Sequence, residues 1–163
     1  MKLDLRKIID LPGSEIPFSF ELETDLLDFP SVVKYLSNPV AEGRIYNEAG
    51  VLRLDGTVSA KMLCTCDRCG EEFESEKVTD CRVVLVEEDP EDNPELFVVE
   101  GCEVDLNEVL STCFILDIET KFLCREDCKG LCPGCGKNLN EGPCNCKKET
   151  DPRFAVLSQL LDK

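Results

Sequence analysis

Cysteine is the residue type in this sequence most able to do chemistry. The chain of 163 residues contains 12 cysteines and no histidine. Two thiolates a few residues apart can bind the same metal ion, and a tetrahedral zinc ion takes four ligands. Eight of the cysteines fall into four close pairs: Cys66/Cys69, Cys124/Cys128, Cys132/Cys135 and Cys144/Cys146. The four pairs therefore predict two structural sites, with one or two zinc ions in all.

The pattern from Cys132 to Cys146 is the most specific. Residues 132–136 read Cys-Pro-Gly-Cys-Gly, in which the proline stiffens the turn and the last glycine lets the backbone fold back toward the sulfurs. Only eight residues separate Cys135 from Cys144. We therefore expect these two pairs to form one compact site.

The other site must join distant segments. Cys124 and Cys128 need partners elsewhere, and the remaining close pair is Cys66 with Cys69, at the end of a predicted strand. Two alternatives stay open, because Cys66 and Cys69 also have the spacing of a redox-active pair and the Cys-Pro-x-Cys-Gly pattern also occurs in rubredoxin-type iron sites. Zinc is preferred, since the sequence has no other feature of an electron-transfer protein.

The four remaining cysteines are expected not to be ligands. Cys81 and Cys113 lie on apolar faces of a predicted strand and helix, where cysteine packs as a small buried side chain. Cys102 is also expected to be a non-ligand, and Cys64 is near enough to Cys66 to replace it. A disulfide framework is not expected, because residues 1–10 lack a secretory signal and a chain of this length can bury a core without crosslinks. We expect a cytoplasmic protein.

The sequence up to residue 100 predicts mainly strands, and these strands must position the cysteines. Alternation of apolar and polar residues predicts strands at 16–22, 40–46, 52–62, 73–86 and 96–99, with 52–62 the clearest. The segment Asn47 to Gly50 has the composition of a hairpin turn. Residues 87–94 are polar and acidic, which indicates a solvated loop.

Helix signals appear in the last third of the chain. Asp105 and Glu108 form a capping pattern before an apolar stripe at Leu106, Val109, Leu110 and Cys113. Asp151 and Pro152 have the pattern of a second helix start. The sequence therefore predicts an α+β fold with two or three short helices. Residues 1–120 are expected to form a β-rich antiparallel domain with an acidic loop and one helix, and residues 121–163 a zinc module with a C-terminal helix.

The charge of the chain restricts its partners. It carries 34 acidic and 18 basic residues, for a net charge of −16, and residues 71–108 hold 15 acidic side chains against 2 basic ones. Duplex nucleic acid is disfavoured, because its phosphates favour a positive surface. A basic protein is the expected partner. No segment has the apolar length of a membrane span.

Sequence features of an enzyme are missing. Histidine, the commonest general base near neutral pH, is absent from the sequence. The sequence also lacks the phosphate-binding, dinucleotide-binding and nucleophile-elbow motifs. All-cysteine metal sites are generally closed and structural. We therefore expect a non-catalytic protein without a small-molecule substrate.

Several segments together resemble the YceD-like family. They are Leu3 to Lys7, Ala49 to Gly56, Cys66 to Cys69, Cys128 to Asn140 and Asp151 to Arg153. The resemblance runs through nearly the whole chain, and it is most specific at Cys66/Cys69 and in the region 124–146. It implies a bacterial or plastid protein needed for accumulation or processing of 23S ribosomal RNA, without enzymatic activity.

Two modes of ribosome-related binding follow from the resemblance and the charge. In the first, the acidic segment from Glu87 to Glu108 binds a basic ribosomal protein or a large-subunit precursor particle. In the second, the zinc module contacts ribosomal RNA directly, as zinc knuckles can. The basic side chains near the cysteines that would serve the second mode are Lys121, Arg125, Lys129, Lys137, Lys147 and Lys148.

Overall fold

A computed structural model shows the arrangement of the chain and describes residues 1–86, 96–99 and 101–146. The strands are β1 (Lys2–Asp4), β2 (Glu15–Glu21), β3 (Val32–Tyr35), β4 (Val40–Glu48), β5 (Val51–Thr65), β6 (Glu72–Val86), β7 (Leu96–Val98) and β8 (Glu103–Asp105). A short 3-10 helix spans Thr24–Leu26, and the α-helix α1 spans Leu106–Asp117. The expected loop at 87–94 and the helix expected after Asp151 lie outside the described residues.

Six of the strands form one sheet around β5. The order is β2-β4-β5-β6-β7, and β3 also pairs with β5. The alternation predicted for β5 is confirmed, because Leu54, Val58 and Met62 are fully buried on the inner face. The expected antiparallel sheet is confirmed except at one edge, where β6 and β7 run parallel. Period-two alternation is the same for both strand directions, so the residue pattern could not show this.

The turn between β4 and β5 has the geometry that the sequence predicts. Glu48 pairs with Val51, which leaves Ala49 and Gly50 as a two-residue loop. Their φ values are 53° and 92°. Positive φ at both positions is the requirement of a type I′ hairpin turn, whose twist matches that of the strands. The predicted hairpin is therefore confirmed, and it sets the register between β4 and β5.

A pair of glycines makes room for an aromatic side chain in the core. Gly43 on β4 lies directly opposite Gly56 on β5, and the ring of Phe18 packs over both. A Cβ atom at Gly43 would collide with the backbone oxygen of Asp55, and one at Gly56 would lie 3.1 Å from Phe18 Cζ. The glycines are thus required by close approach at this point of the sheet.

Helix α1 covers the inner face of the sheet. The Asp105 side chain accepts a hydrogen bond from the Asn107 N–H at 3.0 Å, which confirms the predicted N-cap. Leu106, Leu110 and Phe114 are fully buried in the main core. β1 and β8 form a separate two-stranded antiparallel sheet just before the helix. Within the described residues, no helix has the length and apolar character needed to cross a bilayer.

One crosslink contradicts the sequence analysis. Cys81 on β6 and Cys113 on α1 have Cα atoms 5.8 Å apart, and their sulfurs form a disulfide. This Cα separation lies within the range that a disulfide can bridge. Both residues do pack against the core, as expected. The expectation of a chain without disulfides was wrong at this pair, because the sequence shows two apolar faces and not that these faces meet.

Candidate metal centres

The structure brings the eight paired cysteines together in two groups of four. Cluster 1 contains Cys66, Cys69, Cys124 and Cys128, and cluster 2 contains Cys132, Cys135, Cys144 and Cys146. Within each cluster all four Sγ atoms lie within 4.8 Å of one another. These are the groupings that the spacing predicted. Whether they hold a metal stays a prediction.

The sulfur separations in cluster 1 match those of a thiolate zinc site. Cys66 Sγ lies 3.8 Å from Cys128 Sγ, and Cys69 Sγ lies 3.7 Å from Cys124 Sγ. Four sulfurs at a Zn–S distance of about 2.3 Å stand about 3.8 Å apart along the edges of a tetrahedron. A disulfide needs about 2.05 Å instead. The sulfurs of cluster 1 are therefore spaced for coordination of one ion and not for bonding to each other.

Cluster 1 is built at the end of the longest hairpin. The turn that joins β5 to β6 carries Cys66 and Cys69, and its geometry is set by two backbone hydrogen bonds. The Cys66 N–H donates to the Glu71 carbonyl at 2.9 Å, and the Gly70 N–H donates to the Cys66 carbonyl at 2.8 Å. Gly70 has a φ of 73°, which is strained for an L side chain. The turn thus directs both sulfurs to one side.

The residues between Cys66 and Cys69 hold the other half of cluster 1. The Asp67 carboxylate accepts a hydrogen bond from the Phe122 N–H at 2.6 Å, and the Asp67 N–H donates to the Phe122 carbonyl at 2.9 Å. Arg68 Nη1 donates to the carbonyl of Cys128 at 2.9 Å. These contacts fix the segment after α1 against the hairpin. The Cys-Asp-Arg-Cys motif therefore supplies two cysteines of cluster 1 and also positions the other two.

Cluster 2 repeats the same turn. The Cys132 N–H donates to the Lys137 carbonyl and the Gly136 N–H donates to the Cys132 carbonyl, both at 2.8 Å. Gly136 has a φ of 71°, nearly the value found at Gly70. Cys132 Sγ lies 3.2 Å from Cys144 Sγ. Sequence analysis did not identify the glycine after Cys69 as part of the site, although the signal was present as Cys-x-x-Cys-Gly in both places.

The two clusters differ in exposure. Cys66, Cys69 and Cys128 are buried, and Phe73 and Leu123 pack against them. In cluster 2, Cys135 and Cys146 are exposed. Solvent can therefore reach cluster 2 more easily than cluster 1.

Local hydrogen bonds lower the pKa of sulfurs in both clusters, and in cluster 1 they act on Cys128 as well as on Cys66. Burial opposes ionisation of Cys66, but backbone N–H groups of Cys124, Cys69 and Arg68 lower its pKa to about 6. The Cys135 backbone N–H, with further help from the Cys144 thiol, lowers the pKa of Cys132 to about 6. Cysteine binds a metal as the thiolate, so the lowered pKa values of these two sulfurs favour cation binding.

Other thiols of the two clusters have pKa values raised above the usual range. The neighbouring sulfurs of Cys135 and Cys132 raise the pKa of Cys146 to about 12. An amide hydrogen bond from Glu71 lowers the pKa of Cys69, yet burial and the neighbouring cysteines raise it to about 12. Several thiolates cannot share so small a volume unless a cation balances their charge. The arrangement is thus suited to exchange protons for a dication.

The other cysteines lie outside both clusters. Cys64 is fully buried in the main core, where burial raises the pKa of its thiol. Cys102 is half-buried and joins neither group. The basic side chains Lys121, Arg125, Lys129 and Lys137 are exposed around the clusters. Lys147 and Lys148 lie outside the described residues.

Both clusters lie in the part of the chain that matches a known protein family. A model of the family "Large ribosomal RNA subunit accumulation protein YceD" matches residues 54–161, which is more than half of the chain. The match includes all eight cysteines of clusters 1 and 2. No solved structure matches the chain significantly.

Relatives with similar sequences occur in plants and bacteria. A chloroplastic protein of Arabidopsis thaliana, named as a homologue of the large ribosomal RNA subunit accumulation protein YceD, is 26% identical over 69% of this chain and 45% of its own length. An uncharacterised protein of Mycobacterium tuberculosis is 30% identical over 69% of this chain and 56% of its own length. The chain thus spans about half the length of these curated relatives. On the family match, the chain belongs to the YceD family of large ribosomal RNA subunit accumulation proteins.

Proposed function

We propose that this protein is a non-catalytic ribosome biogenesis factor that supports accumulation or processing of 23S ribosomal RNA and assembly of the large subunit. The family match across both cysteine clusters is the observation that carries this proposal. We also propose that it acts in the cytoplasm. We further propose that the chain divides into a β-rich domain at 1–120 and a zinc module at 121–163.

Each cluster is proposed to hold one structural zinc ion. The sulfur separations of 3.7 and 3.8 Å support this for cluster 1, because they are close to the edge of a zinc tetrathiolate. For cluster 2 the support is the matching turn and the grouping of its four sulfurs. Four protein ligands leave no open position for water or substrate, which favours a structural role. Elemental analysis of the purified protein is expected to give about two zinc ions per chain and a colourless solution. The visible absorption of a thiolate iron site would contradict zinc.

A concave surface formed by β2, β4, β5 and β6 also bears on the non-catalytic role. Charged side chains line it, and several of them are already engaged with one another. Arg44 Nη1 donates to Glu15 at 2.8 Å, and the Tyr46 hydroxyl donates to Asp55 at 3.2 Å. The hydrogen-bonding groups of these paired side chains are already used within the protein. We therefore assign no acid–base role to this surface.

The described residues support a basic protein as the partner. Glu72, Glu74, Glu76 and Asp80 are exposed along the outer face of β6, and we call them the β6 acidic row. Within the segment that sequence analysis favoured, Asp105 is already engaged as a helix cap and in an ion pair with the Met1 amino group at 3.2 Å. The β6 acidic row is therefore the better candidate surface among the described residues. Its charge suits a basic ribosomal protein, because opposite surface charges favour association.

Charge reversal tests this partner. We expect the wild-type chain to capture basic ribosomal proteins or precursor particles from lysate at low salt, and less at high salt. The variant Glu72→Lys, Glu74→Lys, Glu76→Lys should lose capture. The matched control is Glu23→Lys, Asp25→Lys, Asp28→Lys, which makes the same charge change at exposed positions elsewhere. Equal loss in both variants would show that net charge, not this surface, determines binding.

Depletion of the protein tests the cellular role. We expect fewer large subunits, less mature 23S ribosomal RNA and more of its precursors. Wild type should restore them, whereas Cys66→Ser with Cys69→Ser should not. Unchanged large-subunit levels after depletion would contradict the proposal.

Direct contact with ribosomal RNA has less support. Lys121, Arg125, Lys129 and Lys137 are exposed, but Glu126 and Asp127 lie among them. Phe122, an aromatic residue beside cluster 1, is buried in the core and is not free to stack on a base. A protein partner therefore remains the favoured hypothesis.

A further inference from the structure

A side chain from the cluster 2 segment reaches a sulfur of cluster 1. Asn140 Nδ2 donates to Cys128 Sγ at 3.3 Å, and Asn140 Oδ1 accepts from the Lys129 N–H at 2.9 Å. Both functional atoms of the amide are thus used on the turn that carries Cys128. An N–H that donates to a ligand sulfur stabilises its negative charge and fixes its direction.

The position of Asn140 depends on cluster 2. The segment 136–143 connects Cys135 to Cys144, so both of its ends are held by cluster 2. The segment returns toward cluster 1, where the Leu139 N–H donates to the Gly130 carbonyl at 2.9 Å.

A second asparagine supports the first. Asn138 Oδ1 accepts from the Asn140 N–H at 3.0 Å, and Asn138 Nδ2 donates to Glu71 at 2.8 Å. Glu71 directly follows the cluster 1 turn of β5 and β6. The segment between the ligands of cluster 2 is therefore hydrogen-bonded to both halves of cluster 1.

We propose that Asn140 is a positioning residue that links the two metal sites, so that metal in cluster 2 strengthens metal binding in cluster 1. This inference rests on the proposed metal-binding function. A filled cluster 2 holds segment 136–143 in place and keeps the Asn140 amide on Cys128 Sγ. When cluster 2 is empty, the ends of that segment are released and the hydrogen bond to the sulfur is lost. Because linkage is reciprocal, metal in cluster 1 also strengthens binding in cluster 2.

The variant Asn140→Asp removes the hydrogen bond to the sulfur and places a carboxylate oxygen beside it, so both changes oppose a thiolate at Cys128. Aspartate keeps an oxygen for the Lys129 N–H and loses the N–H that donates to Cys128 Sγ. Loss of such a contact typically weakens metal binding by about 10- to 100-fold. The matched control is Asn38→Asp, the same chemical change at an exposed residue whose amide donates to Glu21.

The measurement must report the two clusters separately. The full chain is loaded with zinc and equilibrated with a competing chelator, and its cysteines are then alkylated and mapped by mass spectrometry. Cysteines bound to zinc resist alkylation. We expect Asn140→Asp to lower protection of cluster 1 by about 10- to 100-fold in chelator concentration, and cluster 2 to lose the part of its protection that metal in cluster 1 supplies. Protected cluster 2 cysteines also show that the variant has folded.

Emptying cluster 2 tests the linkage itself. Cys144→Ser with Cys146→Ser should weaken zinc binding in cluster 1, and Asn140→Asp should then have little further effect. An Asn140→Asp chain with wild-type protection, like the Asn38→Asp control, would overturn the inference while the metal proposal stands. An effect of Asn140→Asp that is the same whether or not cluster 2 can bind zinc would also overturn the inference. A wild-type chain that binds no zinc would overturn both proposals.

Discussion

Gly70 and Gly136 occupy equivalent positions, one residue after the second cysteine of two matching turns. Their φ values are 73° and 71°, and each N–H donates to the carbonyl of the first cysteine of its turn at 2.8 Å. One turn closes the β5–β6 hairpin and the other lies in the tail after α1. The two clusters are therefore built on the same local structure in different surroundings.

Substitution of these glycines should weaken the cluster to which each belongs. An added Cβ at Gly70 or Gly136 would meet no heavy atom within 4 Å, so only backbone strain opposes alanine. The strain is about 1–2 kcal/mol, or about 5- to 30-fold in metal affinity. We expect Gly70→Ala to affect cluster 1 and Gly136→Ala to affect cluster 2, measured by chelator competition with site-resolved alkylation.

Gly13→Ala is the matched control for both variants. Gly13 has a φ of 84° and equally open surroundings. Its N–H donates to the Asn47 carbonyl, beside the β4–β5 turn and outside both clusters. This variant should lose some stability and retain wild-type metal affinity. The same loss of affinity at all three positions would show that the effect is global.

The Cys81–Cys113 disulfide should make stability depend on the redox state. A crosslink between residues that are 32 positions apart stabilises a fold by about 2–4 kcal/mol. We expect a reductant to lower the thermal midpoint of the wild-type chain and to leave that of Cys113→Ala unchanged. Cys102→Ala, a half-buried cysteine outside the pair and both clusters, should keep the wild-type response. A wild-type midpoint that does not respond to reductant would contradict a stabilising role of the bond.

Sequence alone predicted the parts of this structure that depend on local pattern. Alternation located β5, and the turn composition located the hairpin at Ala49 and Gly50, because neighbouring residues determine both. Cluster 2 could be grouped because only eight residues separate Cys135 from Cys144. Cluster 1 could be grouped only by elimination, because its two cysteine pairs are far apart in the sequence and were the close pairs that remained after cluster 2 was assigned.

The relationships that were missed all depend on how distant elements meet. The parallel β6–β7 pair requires a strand direction that alternation does not encode. The disulfide requires that a face of β6 meets a face of α1. The contact of Asn140 with Cys128 requires the path of the whole segment between the two clusters. None of these has a signature within a few residues of sequence.

Asp117 should contribute to stability in a pH-dependent way. Its carboxylate accepts from Thr79 Oγ1 at 2.9 Å and lies 3.0 Å from Lys77 Nζ. The hydrogen bonds from Lys77 and Thr79 lower the pKa of Asp117 below its usual value of 3.8. Because the folded-state pKa is the lower one, the stabilisation is present above about pH 4 and is lost as the pH falls through the lowered pKa.

We therefore expect Asp117→Asn to lower the free energy of unfolding at pH 7. The carboxylate is half exposed, so the loss should be only about 0.2–1 kcal/mol. The difference from wild type should shrink as the pH is lowered toward 3, measured by urea denaturation. Glu119→Gln, which removes the other carboxylate near Lys77 but keeps the Thr79 contact, should cost less. A loss for Asp117→Asn that does not change with pH would contradict an ionic contribution.

Arg68 should be needed for metal binding in cluster 1 although it is not a ligand. Its Nη1 atom donates to the carbonyls of Cys128 and Glu126, and its own carbonyl accepts from the Leu131 N–H at 3.0 Å. Alanine would remove the side-chain contacts and keep the backbone one. Lysine presents a single ammonium group instead of a planar fork, so it should restore the contacts only in part.

We expect Arg68→Ala to weaken metal binding in cluster 1 by about 10-fold or more, because the turn that carries Cys128 loses its support. Arg68→Lys should fall between Arg68→Ala and wild type in the same chelator competition. Arg6→Ala is the control, since Arg6 is exposed and pairs with Asp4 at 2.6 Å, outside both clusters. If metal binding in cluster 1 survives in Arg68→Ala, then the ligands alone hold the segment after α1, and the Asp67 contacts with Phe122 are sufficient to align it.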